Sequence, residues 1–176
     1  MNSDVHPVVQ VRRIVDSDLE SLRALRLRAL ATDPMAFGDT LESAQKSDLS
    51  GWEDWVQRAS SLDDAITFFA HLPDGRPVGM IGSTWKEGIT WLGAMWVEPP
   101  FRGLRVGARL LDSVLSWSDS IHPGSEIRLY VATIQDAAIR LYQSRGFVNT
   151  GTMYPHEHPL GSVFHEMLRT PKSPQR

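Results

Sequence analysis

Apolar and polar positions along the chain follow two rhythms, one of period two and one near three and a half, and they alternate from end to end. Val9 to Val15 reads as a strand. Ser17-Asp18-Leu19-Glu20 has the form of a capping box, Ser17 as N-cap and Glu20 three residues on. It opens a helix with Leu19, Leu22, Leu25 and Leu30 on one side and Arg23 and Arg26 outward, and Asp33-Pro34 stops it. After a loop through 36–40, Trp52, Trp55, Val56 and Ala59 recur at i, i+3, i+4 and i+7 and predict a second amphipathic helix.

Ala65 to Leu72, Val78 to Trp85 and Ile89 to Val97 predict three strands in an antiparallel meander. Pro73-Asp74-Gly75-Arg76 and Lys86-Glu87-Gly88 form its turns. Residues 104–119 predict a helix burying Val106, Leu110, Leu111, Val114 and Leu115. Ile127 to Ala132 is a further strand, and 136–145 a helix closed by Gly146. Phe147 to Met153 and Val163 to Leu168 complete the series. The order β-α-α-β-β-β-α-β-α-β-β predicts an α/β sandwich, a mixed and mostly antiparallel sheet with helices on both faces. Residues 1–8 and 170–176, polar and broken by proline, are expected to be loose tails around a single domain over 9–169.

Composition narrows the function classes. At 176 residues the chain has the length of one domain, able to bury about 70% of its extended surface without metal or disulfide staples. It has no cysteine, so neither a disulfide framework nor a thiolate nucleophile exists. The N-terminus lacks the basic and apolar regions of a signal peptide, and no apolar run approaches the ~20 residues of a membrane span. A cytoplasmic protein without membrane contact is expected. The net charge of −3 argues against nucleic-acid binding. The charge is uneven: seven acids fall within 39–64, whereas 99–111 holds Arg102, Arg105 and Arg109 and no acid.

That basic stretch sits at an informative junction, Met95-Trp96-Val97-Glu98-Pro99-Pro100-Phe101-Arg102-Gly103-Leu104-Arg105-Val106-Gly107-Ala108. A helix starting near Leu104 leaves its first amides unbonded under a positive dipole end. Gly103, Gly107 and Ala108 let a ligand approach that backbone, and Arg102 and Arg105 add charge. Together they suit a pyrophosphate. No Walker or Rossmann fingerprint is present.

The segment resembles the coenzyme-binding motif of the GNAT superfamily of acyl-CoA N-acyltransferases, Gln/Arg-x-x-Gly-x-Gly/Ala after a strand ending in Val. Arg102 fills its first position and Gly107 its last, and Arg105 replaces the first glycine. A second segment, Leu129 to Phe147, is similar to the family's Leu-x-Val-x-x-x-Asn-x-x-Ala-Ile-x-Leu-Tyr-x-x-x-Gly-Phe, with Gln135 in place of Asn. Two motifs in the right order, with strand-helix-strand spacing, identify the chain as a member over about residues 9–168.

The resemblance implies acetyl-CoA as co-substrate, bound where two parallel strands splay apart, and no metal. Met95, Trp96 and Val97 would offer backbone groups to the pantetheine and thioester. Residues Gly103, Leu104, Arg105, Val106, Gly107 and Ala108, with Arg102, would hold the pyrophosphate, and Gln135 and Ala138 would border the pantetheine arm. Tyr142 would protonate the departing thiolate, its phenol pKa near 10 keeping it an acid at neutral pH. Relatives place a base carboxylate at positions occupied here by Trp91 or Tyr130, so water or another acid, among Asp39, Glu42, Glu98 and Glu157, would take the amine proton. The acceptor would be a primary amine, protein or small molecule, met by an acidic and aromatic rim of Phe37, Asp39, Glu42 and Tyr154-Pro155-His156-Glu157-His158. A non-catalytic acyl-CoA sensor is the alternative, and homodimerisation is compatible with the six tryptophans, although no stripe marks an interface.

Overall fold

A computed structural model describes residues 9–61, 63–154 and 160–171. Strand β1 (Gln10–Arg13) leads into three helices, α1 (Leu19–Thr32), α2 (Leu41–Lys46) and α3 (Leu49–Ser61). The meander β2 (Ala65–His71), β3 (Pro77–Lys86) and β4 (Ile89–Val97) follows. Then come α4 (Val106–Ile121), β5 (Glu126–Ala132), α5 (Asp136–Gln143), β6 (Val148–Met153) and β7 (Phe164–Arg169). One seven-stranded sheet runs β1-β2-β3-β4-β5-β7-β6, and each neighbouring pair is antiparallel except β4 with β5. The predicted mixed sheet between helical layers is the fold observed.

Side chains of period two divide between the faces. Phe69 and Met80 join Leu22, Leu25, Leu30, Trp52 and Val56 beneath α1–α3. Ala70, Ile81, Ile127 and Leu129 join Leu110, Leu111 and Val114 beneath α4. The sheet therefore has a core on each face, and anything that opens it connects the two.

Four local expectations change. Ser17 does not cap α1: residues 16–18 form a 3-10 turn, and Asp18 stands at the N-cap without a capping bond. The Asp18 carboxylate instead accepts the Val15 N–H at 2.8 Å and the Arg12 guanidinium at 2.6 and 2.8 Å. The Arg12 hydrogen bond holds the Asp18 carboxyl below its usual range, outweighing partial burial. Between the first two predicted helices lies a third, α2, capped by Thr40 Oγ1 accepting from Ser43 N at 3.1 Å. Helix α4 begins at Val106 rather than Leu104, because Gly103 (φ 76°) and Arg105 (φ 62°) are left-handed and the spiral starts only beyond them. Lastly, Arg26 points inward: only 7% of it is exposed.

Candidate functional site

Strands β4 and β5 pair from Ile89–Glu126 to Leu92–Leu129 and then part. Met80 faces Trp96 while Gly82 faces Gly93, so β4 carries one extra residue against β3. This bulge centres on Ala94, whose φ of 51° is left-handed. It bends β4 off β5, and the gap joins the two faces of the sheet.

On the α4 side the gap widens into a cavity of about 430 Å³. Met95, Trp96, Val97, Arg102, Gly103, Arg105, Val106, Gly107, Ala108, Gln135, Ala138 and Tyr142 all border it. Leu104, expected among them, packs against the core instead. The first amides of α4 face this space without intrahelical partners, since the earliest helical turn closes with Arg109 N on Arg105 O. A Cβ on Gly107 would stand 3.1 Å from Met95 Cε and 3.4 Å from Leu141 Cδ2, so bulk there presses on the cavity wall. These free amides and small residues fit a pyrophosphate.

The two arginines differ. Arg102 donates through Nε to Val97 O at 2.8 Å and through Nη2 to Asp33 Oδ2 at 2.5 Å. Asp33 also accepts Trp96 Nε1 at 2.7 Å and borders the cavity. In the sequence Asp33 marks only a helix stop, yet it joins α1 to the end of β4. Arg105 is exposed, and no partner binds its guanidinium among the described residues. It is the cation at liberty to meet an anion.

On the opposite side of the gap lies a second cavity of about 260 Å³, bordered by Arg26, Phe37, Leu92, Gly93, Tyr130, Tyr154 and Phe164. It shares Ala36, Met95, Gln135, Ala138 and Tyr142 with the first, so those residues form the waist between the two. Gln135 caps α5, and Ala138 and Tyr142 follow on one face, as their spacing of four predicts. Tyr142 is 5% exposed, and its hydroxyl donates to Met95 Sδ at 3.3 Å. Burial pushes its pKa above the ordinary phenol value, so it is protonated at neutral pH.

Trp91 and Tyr130 stack on each other at 5.7 Å and 13°, and Tyr154 meets Tyr130 edge-on at 4.9 Å. Behind them the Arg128 Nη1–Glu166 Oε1 pair, at 2.7 Å, holds the buried Glu166. The expected acidic rim does not border the cavity among the described residues. Glu42 pairs with Lys46 on the surface, and Glu98 is held by Arg76 and Arg28 beyond the end of β4. Asp39 lies 3.9 Å from Arg26 Nη2. Pro155, His156, Glu157 and His158 lie outside the described residues. Among the described residues no cluster of His, Cys, Asp or Glu could hold a metal ion, and no helix is long and apolar enough to cross a membrane.

This geometry has counterparts. A GNAT acetyltransferase from Streptococcus pneumoniae superposes with a TM-score of 0.79 at 22% identity, covering 94% of this chain and 100% of that one. The protein yncA from Salmonella typhimurium, solved with its cofactor acetyl-CoA, superposes with a TM-score of 0.77 at 15% identity, covering 96% and 97%. In sequence, N-alpha-acetyltransferase 20 from Dictyostelium discoideum is 35% identical over 78 residues, 42% of this chain and 45% of that protein, less than half the relative's length. Residues 26–147, from the buried arginine of α1 to the phenylalanine after α5, match the acetyltransferase (GNAT) family, and this chain belongs to it.

Proposed function

We propose that this chain moves the acetyl group of acetyl-CoA directly to a primary amine within a ternary complex. The observation that carries the reading is the waist: two cavities, one on each face of the sheet, meet at a buried phenol that already donates to a sulfur. In this reading the larger cavity takes the coenzyme, with its pyrophosphate on the amides of 106–108 and on Arg105. The smaller cavity takes the amine.

The amine nitrogen forms its bond to the thioester carbonyl carbon, and the C–S bond then breaks. Tyr142 gives its proton to the leaving sulfur and recovers one from solvent, while the amine loses its proton to water. No carboxylate borders the smaller cavity among the described residues, which supports a water route for that proton. A buried phenol is held protonated at neutral pH and so carries a proton to deliver to the departing sulfur.

Acetyl-CoA and a panel of primary amines, with thiol release and the mass of the acetylated amine as readouts, test the reading. Stoichiometric thiol and N-acetyl product are expected. CoA that binds without thiol release from any amine would leave a sensor, and absence of CoA binding at millimolar concentration would remove both readings.

A further inference from the structure

Arg26 is one of two buried arginines among the described residues; the other, Arg169, meets Asp119 at 3.4 Å. The more exposed Arg12, Arg102 and Arg128 also meet carboxylates, Asp18 at 2.6 Å, Asp33 at 2.5 Å and Glu166 at 2.7 Å. The Arg26 side chain is 9% exposed, and its Nε and Nη1 are buried with no hydrogen-bond partner. Its nearest carboxylate, the half-exposed Asp39, stands at 3.9 Å, beyond hydrogen-bond length. What supports the guanidinium is the ring of Phe37, 4.5 Å from Cζ. Burying a cation without bonding its donors is costly, and burial depresses the Arg26 pKa accordingly. Guanidinium nevertheless stays charged.

That charge borders the smaller cavity, and it is the one charged side chain to do so among the described residues. The remaining wall is aromatic or apolar apart from Gln135 and the tyrosines. We propose that the acceptor is an amine whose molecule also bears a carboxylate, and that the Arg26 guanidinium receives that carboxylate. The proposal rests on the transferase reading above and names its substrate class. Arg26 thereby determines specificity, favouring acidic amines and disfavouring polyamines, whose second cation would face it. An α-carboxylate of a free amino acid and a side-chain carboxylate near a peptide N-terminus share this chemistry.

The test compares acceptors in matched pairs: free amino acids against their carboxamides, and C-terminally amidated tripeptides beginning with Asp or Glu against those with Asn or Gln. Acids are expected to exceed their amides in kcat/KM by about 10- to 100-fold, the worth of a hydrogen bond to a charged group. The arm that carries the preference identifies the source of the carboxylate. Arg26→Gln should erase the preference and leave KM for acetyl-CoA unchanged. Arg26→Met, which keeps the packed stem, should melt no lower than wild type, since it removes an unbonded buried charge. Equal use of acids and amides by wild type, or a preference that survives Arg26→Gln, overturns the inference and leaves the transferase standing. Should no amine release thiol, the N-acetylated acids supply a separate reading. They should raise the melting temperature of wild type and not of Arg26→Gln, and absence of that shift overturns the inference as well.

Discussion

Replacing Tyr142 with Phe removes one hydroxyl and leaves a packed ring, which separates chemistry from architecture. The ring's contact with Phe147, at 5.7 Å and 60°, survives. The single bond lost is the one to Met95 Sδ, at 3.3 Å. A neutral hydrogen bond is worth about 0.5–1.5 kcal/mol net, and thioether sulfur is a weak acceptor, so the stability loss should sit near the lower figure. For a chain of this length that is about 1–2 °C of melting temperature. A positioned general acid, by contrast, contributes about 10²–10⁴ in rate, or about 3–5 kcal/mol of barrier. The variant should therefore melt almost like wild type, bind CoA normally and lose kcat by at least about a hundredfold. KM for acetyl-CoA should not rise, because the proton moves only in the transition state. Because burial raises the Tyr142 pKa, wild-type activity should show no decline from its ionisation below about pH 10. Stopped-flow thiol release with Tyr142→Phe and wild type, each across pH 6–10, measures all of this. Turnover within about threefold of wild type, where a general acid predicts a hundredfold loss, would mean that the phenol only packs.

Arg105→Gly should act in opposite directions on stability and binding. Relief of the left-handed φ of 62° should stabilise by about 1 kcal/mol, raising the melting temperature by a few degrees, while loss of the unbonded guanidinium weakens CoA and flattens the salt dependence of its binding. Unchanged affinity and salt slope in calorimetry would show that only the backbone matters there. Gly107→Val should leave circular dichroism intact and weaken CoA by calorimetry, since the first added carbon already lies 3.1 Å from Met95 Cε and the branch extends into the coenzyme cavity; wild-type affinity would place the coenzyme elsewhere. The Arg12–Asp18 pair should stabilise the fold above the ordinary carboxylate pKa of about 4 and be lost as pH falls through the lowered folded value. Melting curves of wild type and Asp18→Asn should therefore differ most at pH 6, and the gap should shrink as pH falls below about 4; a constant gap across that range would locate the effect outside this pair.

Much of the site between Met95 and Phe147 was legible because local chemistry specifies it. Small residues after a strand, a helix start and the Ala138–Tyr142 spacing need no distant partner to be read. The waist between the cavities is another matter, since it arises where α5 and the bulge of β4 meet, and register shifts have no signature in a run such as Leu92-Gly93-Ala94-Met95. Charge alone puts Arg26 outward, whereas spacing puts it inward: Leu22, Arg26 and Leu30 stand at i, i+4 and i+8 and share one face of α1. Asp33 reads as a helix stop and is one, but its grip on Arg102 and Trp96 spans more than sixty residues of sequence. Helix α2 has 6 residues, too short for a periodic pattern to emerge. Leu104 looked like part of the cradle until the left-handed residue after it turned its side chain into the core.

The parting of β4 from β5 makes this sheet unfinished. Over residues 93–97, alternate N–H and C=O groups of β4 point toward a neighbour that has moved away, whereas β3 on the other side remains paired up to Val97. An extended ligand lying in that gap would act as the missing piece of backbone, exchanging hydrogen bonds as a strand does. Folding and binding are then partly one process: the end of β4 is the segment from which local opening should be easiest in the free protein, and the one that ligand should quieten most. An internal edge kept open in this way also escapes the usual hazard of an exposed strand, because the helices on both faces admit a slender arm and exclude another sheet.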